Sequence, residues 1–333
     1  GERERELRAR LAQALDLHGS PDDARLAGLE VLFEPLLLRV AVAFRQEHRR
    51  RLADHLGGGV AEDRLRAAVP RQDRPRAVGD DDAVVRAVDD VSFVVDEGDM
   101  FGLVGESGRG KSTTGRCILR LIEPDRGEVL FRGDNVLRYS KSRMRLARRD
   151  MQIVFQDPYS SLNPRMRAGD IVEEPLIIHR LGGPAERRDR VKQLFELVGL
   201  EAGHLARYPS EFSGGQRQRI GIARALALNP ALIVADEAVS ALDVSVQAQV
   251  IQLLLDLRAQ LKLTYVFIAH DLRLVEHVCN RVAVMYLGKI IELGETHALF
   301  RSPAHPYTRA LLEAVPIPDP AIEEKREHRI LKG

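Results

Sequence analysis

The stretch Gly105-Glu106-Ser107-Gly108-Arg109-Gly110-Lys111-Ser112 constrains this chain more than any other. It has the spacing of glycine, four residues, glycine, lysine and serine, and it lies between an apolar run (Met100 to Val104) and a segment of helical character (Lys111 to Leu121). Strand, Gly-rich turn and helix together form what a phosphate-binding loop requires. Glycines let backbone N–H groups wrap around phosphate oxygens, and the helix N-terminus adds its positive end. In such a loop Lys111 meets the β- and γ-phosphates and the Ser112 hydroxyl ligates magnesium. Taken alone, the loop does not separate a kinase, a GTPase and a transport ATPase.

The surrounding chain alternates strands and helices from Ala83 onward. Val84 to Val95 reads as edge strands, Met100 to Val104 as a buried strand, and Glu128 to Phe131 and Met151 to Phe155 as further strands. Gly169 to Leu228 reads as mostly helical, with breaks at Pro175, Gly182-Gly183-Pro184, Gly199 and Pro209. Strands follow at Ala231 to Ala235, Thr264 to Ala269, Arg281 to Met285 and Lys289 to Leu293, with helices over Ser245 to Leu261 and Leu272 to Cys279. A parallel-sheet α/β core interrupted by a helical insert accounts for this order. Residues 1–82 differ: rich in Arg, Asp and Ala, with weak helices expected at Glu2 to Leu17 and an apolar stretch at Leu29 to Phe44, they read as a divergent, partly helical or disordered arm.

Composition narrows the function classes. The 333 residues carry 50 basic and 49 acidic side chains, so net charge offers no global attraction to nucleic acid or anionic lipid. Cys117 and Cys279 lie far apart in helical segments, which suits buried apolar residues in a reducing, cytoplasmic compartment rather than a disulfide framework. Leu29 to Phe44 is broken by Glu34, Pro35 and Arg39 and falls short of the roughly 20 apolar residues of a membrane-spanning helix. Any membrane role is expected to be peripheral, and no secretory signal is expected from the start of the chain.

A second element resolves the ambiguity of the loop. Leu232-Ile233-Val234-Ala235-Asp236-Glu237 is an apolar strand ending in adjacent carboxylates, where Asp236 can hold magnesium through water and Glu237 can polarise an attacking water. Upstream, Ser213-Gly214-Gly215-Gln216 opens a helix with small residues, a terminus suited to an anion. Ser240-Ala241-Leu242-Asp243 and His270 follow in order. In this set of motifs, over roughly Ala83 to Pro316, the chain resembles the ATP-binding-cassette ATPases. Two further stretches, Gln156 to Arg165 (QDPYSSLNPR) and His305 to Leu312 (HPYTRALL), together with Asp243 to Gln249, resemble the oligopeptide and dipeptide importers within that family.

The resemblance implies a P-loop NTPase fold of cassette type: a RecA-like parallel-sheet core, an antiparallel β subdomain and a helical insert at about 157–229, the cassette spanning 83–316 with a tail at 317–333. It implies ATP and Mg2+, with nucleotide contacts from Gly105, Glu106, Ser107, Gly108, Arg109, Gly110, Lys111, Ser112 and Thr113. Gln156 would contact magnesium and the water and report nucleotide state to a permease. Ser213, Gly214, Gly215 and Gln216 would cap the γ-phosphate held by a second cassette, Asp243 would communicate across that dimer, and His270 would sit at the γ-phosphate. Glu237, His270, Lys111 and Gln156 are the expected catalytic set, and Ser112, Gln156 and Asp236 the metal set. Partners would be a second cassette subunit, transmembrane permease subunits and, indirectly, a solute-binding protein at the cytoplasmic face of the membrane, with no nucleic acid.

Two departures from the family stand out. No Phe, Tyr or Trp lies between Arg45 and Ser92, where relatives stack a ring on adenine, and Ala238 replaces the proline expected after the catalytic glutamate. The solute is not readable, and importers of nickel, glutathione or another solute remain alternatives to peptide importers, as does a hydrolysis-impaired regulatory remnant. A cassette ATPase acting on DNA or ribosomes would carry coiled-coil inserts or two cassettes in one chain, and neither pattern is present.

Overall fold

The computed structural model describes residues 40–48, 85–108 and 110–314. The helix expected at Glu2 to Leu17, Arg109 and the 317–333 tail lie outside them.

Three apolar runs form the spine: β3 (Met100–Val104), β7 (Leu232–Asp236) and β8 (Thr264–Ile268), each buried at every position. Such continuous apolar strands require cover on both faces, as in a parallel sheet flanked by other layers. With β6 (Met151–Val154), β9 (Arg281–Tyr286) and β10 (Lys289–Glu295) they make a six-stranded sheet of order β10-β9-β3-β8-β7-β6. All neighbours run parallel except the β9–β10 hairpin at the edge.

Alternation along each strand divides the core. Phe101, Leu103, Val234, Val266 and Ile268 face one side, where they pack with Cys117 and Ile118 of α1 (Lys111–Ile118) and with Val91 and Phe93. The Phe93 and Phe101 rings stack at 4.9 Å. Ile233, Ala235, Tyr265 and Phe267 face the other side, toward the helical insert. Burial raises the Cys117 thiol to about 12, and both cysteines are free, so they act as apolar filling.

A second, antiparallel sheet has the order β2-β1-β4-β5, from β1 (Val40–His48), β2 (Val85–Val95), β4 (Arg126–Phe131) and β5 (Asp134–Asn135). Here the structure differs from the sequence reading: Val40–His48, expected within the weakly helical arm, pairs as a strand with both β2 and β4. Apolar residues at alternate positions, Val40, Val42 and Phe44, fit a strand period of two.

After α2 (Lys141–Ala147) and β6, the insert contains α3 (Ala168–Ile178), α4 (Pro184–Leu197) and α5 (Gly214–Leu226). Pro175, expected to break a helix, lies inside α3. Its helix loses one backbone donor there, but α3 is anchored to the core by buried Ile171, Val172 and Leu176. Pro184 does start a helix, at the first position of α4, where a missing N–H is harmless. The chain then runs through α6 (Val244–Leu261), α7 (Leu272–Val278), α8 (Thr296–Arg301) and α9 (Pro306–Glu313). Among the described residues no helix is long and apolar enough to cross a membrane.

Candidate active site

Strand order brings the predicted residues together. The phosphate loop follows β3, Gln156 follows β6, Asp236 and Glu237 end β7, and His270 follows β8, so all emerge at the carboxyl edge of adjacent strands. Crevices at that edge are where open α/β sheets bind ligands. Register completes the placement: Val154 opposes Ala235, which sets Gln156 level with Glu237 two residues on.

The loop's backbone depends on glycine at two points. Gly105 has φ 145°, and a Cβ there would lie 2.2 Å from the Met285 carbonyl oxygen; Gly110 has φ 96°, and its Cβ would lie 2.1 Å from the Ala87 carbonyl oxygen. Gly110 also stands at the N-cap of α1, where no side-chain cap hydrogen bond is made. The Lys111 ammonium curls back over the loop and donates to the Gly105 carbonyl at 2.8 Å and the Glu106 carbonyl at 2.9 Å. Burial lowers its pKa, opposed by the charges of Glu237, Asp236 and Glu106.

Ser112 Oγ donates to Asp236 Oδ1 at 2.7 Å, joining the loop to β7. Asp236 is 3% exposed, and burial raises its pKa against the Ser112 hydrogen bond and the Arg116 guanidinium 3.9 Å from Oδ2. A hydroxyl and a buried carboxylate are hard oxygen donors of the kind magnesium takes. Among the described residues no group of three or more His, Cys, Asp or Glu could hold a metal by itself. The donor set thus fits an ion that takes its remaining ligands from substrate phosphates.

Glu237 is the hub. Its backbone adopts φ 46°, unusual for a residue with a Cβ, and is held by its N–H donating to the Ile268 carbonyl at 3.0 Å and by Ser240 Oγ donating to its carbonyl at 3.0 Å. Gln156 Nε2 donates to Glu237 Oε2 at 2.9 Å, and His270 Nδ1 stands 3.5 Å from the same oxygen. Glu237 is 9% exposed while the His270 side chain is half exposed, so the carboxylate is sheltered and the imidazole faces outward. Ala238, where a proline was expected, is buried in the core, and the turn is pinned by the Glu237 bonds regardless.

The structure does not bring Ser213–Gln216 to the loop. Ser213 caps α5 reciprocally, its Oγ accepting from the Gln216 N–H at 3.3 Å while Gln216 Oε1 accepts from the Ser213 N–H at 3.0 Å, and Ser213 is exposed. The tip rests instead on the segment after Ser240: a Cβ on Gly215 would fall 2.2 Å from Val246 Cγ1, and one on Gly214 3.3 Å from Leu242 Cδ2. Asp243 caps α6, accepting from the Val246 N–H at 3.0 Å and from Ser245 Oγ at 2.8 Å, bonds that hold its carboxyl below the usual range.

Sequence reasoning missed one contact in this region. Arg217 stacks on the Tyr159 ring, 3.9 Å from its centroid, and donates to the Pro209 and Ser210 carbonyls, so α5 is tied to the segment after Gln156. Nothing in the residue types alone signals that pairing.

Known proteins similar to this chain identify its family. Residues 88–240 match the ABC transporter family model and residues 291–332 the model for the oligopeptide/dipeptide transporter C-terminal region. The chain is 56% identical to the oligopeptide transport ATP-binding protein OppF of Bacillus subtilis, over 73% of this chain and 80% of that protein. It is 55% identical to the putative oligopeptide transport ATP-binding protein YkfD of Bacillus subtilis, over 75% of this chain and 76% of that protein. Among solved structures, a dimeric post-hydrolysis state of the ATP-binding cassette MJ0796 bound to ADP and Pi superimposes with a TM-score of 0.62 and 26% identity, over 78% of this chain and 99% of that one. The chain belongs to the ABC transporter ATP-binding proteins and is an ATPase. Its C-terminal match and these relatives place its similarity in the oligopeptide/dipeptide branch.

Proposed function

We propose that this chain is the subunit that hydrolyses ATP at the cytoplasmic face of the cell membrane to drive import of oligopeptides or dipeptides. The observation that carries the reading is the convergence of Gln156 and His270 on Glu237, next to the Ser112–Asp236 bond that closes the phosphate loop. The names of the relatives support peptides as the solute, and none of those relatives favours nickel, glutathione or a regulatory remnant.

In this reading two cassettes, identical or homologous, close around two ATP molecules. Lys111 leaves the Gly105 and Glu106 carbonyls and turns to the β- and γ-phosphates. Ser112, Asp236 and Gln156 would hold Mg2+, which would supply charge neutralisation on the phosphate oxygens. Glu237, oriented by Gln156, accepts a proton from the water as that oxygen attacks the γ-phosphorus and the bond to the bridging oxygen of ADP breaks. His270 and the opposing cassette's Ser213 and Gly215 stabilise charge on the transferring group. Asp243 communicates across the dimer, and residues 157–166 push on transmembrane permease subunits, a solute-binding protein delivering the peptide outside. Adenine is held without a ring from 46–91.

The test is Glu237→Gln in the assembled transporter. Turnover falls by about a hundredfold or more, the range for loss of a general base, while ATP still binds. Unchanged turnover overturns the assignment.

A further inference from the structure

The hydroxyl of Tyr307 accepts a hydrogen bond from the backbone N–H of Glu106 at 3.3 Å, across 201 residues of sequence. That N–H belongs to the peptide unit joining Gly105 and Glu106, and the carbonyl of the same unit accepts the Lys111 ammonium at 2.8 Å. One peptide plane of the phosphate loop is thus gripped at both ends, by Lys111 from within the loop and by Tyr307 from outside.

Tyr307 is built to hold that position. It is 7% exposed, its ring lies against Tyr286 at the end of β9 with centroids 4.3 Å apart, and its own backbone N–H is capped by His305 Nδ1 at 3.1 Å. The turn leading into it is fastened to the sheet edge, because the Glu292 carboxylate of β10 accepts from the backbone N–H groups of Ala304 at 2.8 Å and His305 at 3.1 Å. β10, the turn, α9 and Tyr307 therefore form a strut from the edge of the sheet to the phosphate loop.

We propose that Tyr307 is a positioning residue for the phosphate loop: its hydroxyl fixes the orientation of the Gly105–Glu106 peptide, so that the C-terminal region is a working part of the ATP site. When a triphosphate draws Lys111 off the Gly105 carbonyl, the bond to Tyr307 remains and keeps that peptide from rotating. The proposal rests on the ATP site and is independent of which solute is carried.

The experiment compares Tyr307→Phe, which keeps the ring on Tyr286 and removes only the hydroxyl, with Leu311→Ala, which removes packing on the same helix. Tyr307→Phe raises the KM and Kd for ATP about three- to tenfold, the worth of one net hydrogen bond, with kcat changed less than twofold. Leu311→Ala lowers the melting temperature and leaves the KM for ATP as in the parent. An unchanged KM and Kd in Tyr307→Phe overturns the proposal, as does an equal rise in Leu311→Ala. Lys111→Ala, run alongside, abolishes ATP binding; if it does not, the ATP-site assignment fails instead.

Discussion

Gly215→Ala isolates the contact on which the exposed Ser213 tip rests. An ideal Cβ at Gly215 lies 2.2 Å from Val246 Cγ1, whereas carbon–carbon contacts are best at about 3.5–4.0 Å, so one side must retreat by more than an ångström. Val246 yields poorly. It is β-branched, sits in the first turn of α6, and its N–H is held by Asp243 at 3.0 Å. Overpacking of this kind costs about 1–3 kcal/mol, and the gain from replacing glycine in the first turn of α5 offsets at most about 1 kcal/mol of that. The expected net loss is about 1–2 kcal/mol in urea denaturation followed by circular dichroism, with a fall in ATP turnover because the Ser213 tip is displaced. Adding Val246→Ala removes the clash, so the double variant recovers about 1 kcal/mol or more relative to Gly215→Ala despite the lost valine. A Gly215→Ala protein as stable as the parent, or strictly additive effects in the double variant, would refute the steric argument.

Asp236→Asn should raise the melting temperature of the nucleotide-free protein while abolishing turnover. Burial holds this carboxyl above its usual range, so the folded state binds the proton more readily than the unfolded chain, and ionised Asp236 opposes folding at neutral pH. That penalty shrinks as pH falls through the folded pKa and is gone below about pH 3.9; calorimetry across pH should therefore show the stabilisation at neutral pH and its loss in acid. Gly105→Ala should cost about 3 kcal/mol or more and eliminate ATP binding, since φ 145° and a carbonyl oxygen 2.2 Å from the new methyl leave the backbone nowhere to go; a soluble, ATP-binding Gly105→Ala protein in a filter-binding assay would contradict this.

Much of the sheet and the site was legible because the signals are local. Met100–Val104, Leu232–Asp236 and Thr264–Ile268 are buried, largely apolar runs, as strands covered on both faces must be, and the phosphate loop, the Asp236–Glu237 pair and His270 stand at or just beyond their carboxyl ends. The remainder depends on partners distant in sequence. Val40–His48 reads weakly by itself and becomes a strand through backbone pairing with Val85–Val95 and Arg126–Phe131 far downstream, Val40 opposing both Val95 and Phe131. Pro175 stays within α3 because tertiary burial of that helix outweighs one lost backbone bond. Gly215 is needed for Val246, and Tyr307 reaches Glu106, through packing that no spacing rule encodes.

The most direct test of the account is a structure of the assembled transporter carrying Glu237→Gln, solved with ATP and Mg2+ bound. The account predicts each triphosphate gripped by the Lys111–Ser112 loop, or its homologous counterpart, with the Ser213 hydroxyl of the opposing cassette within hydrogen-bonding distance of the γ-phosphate. A triphosphate bound at the loop with every Ser213-type tip turned away from it would contradict the account.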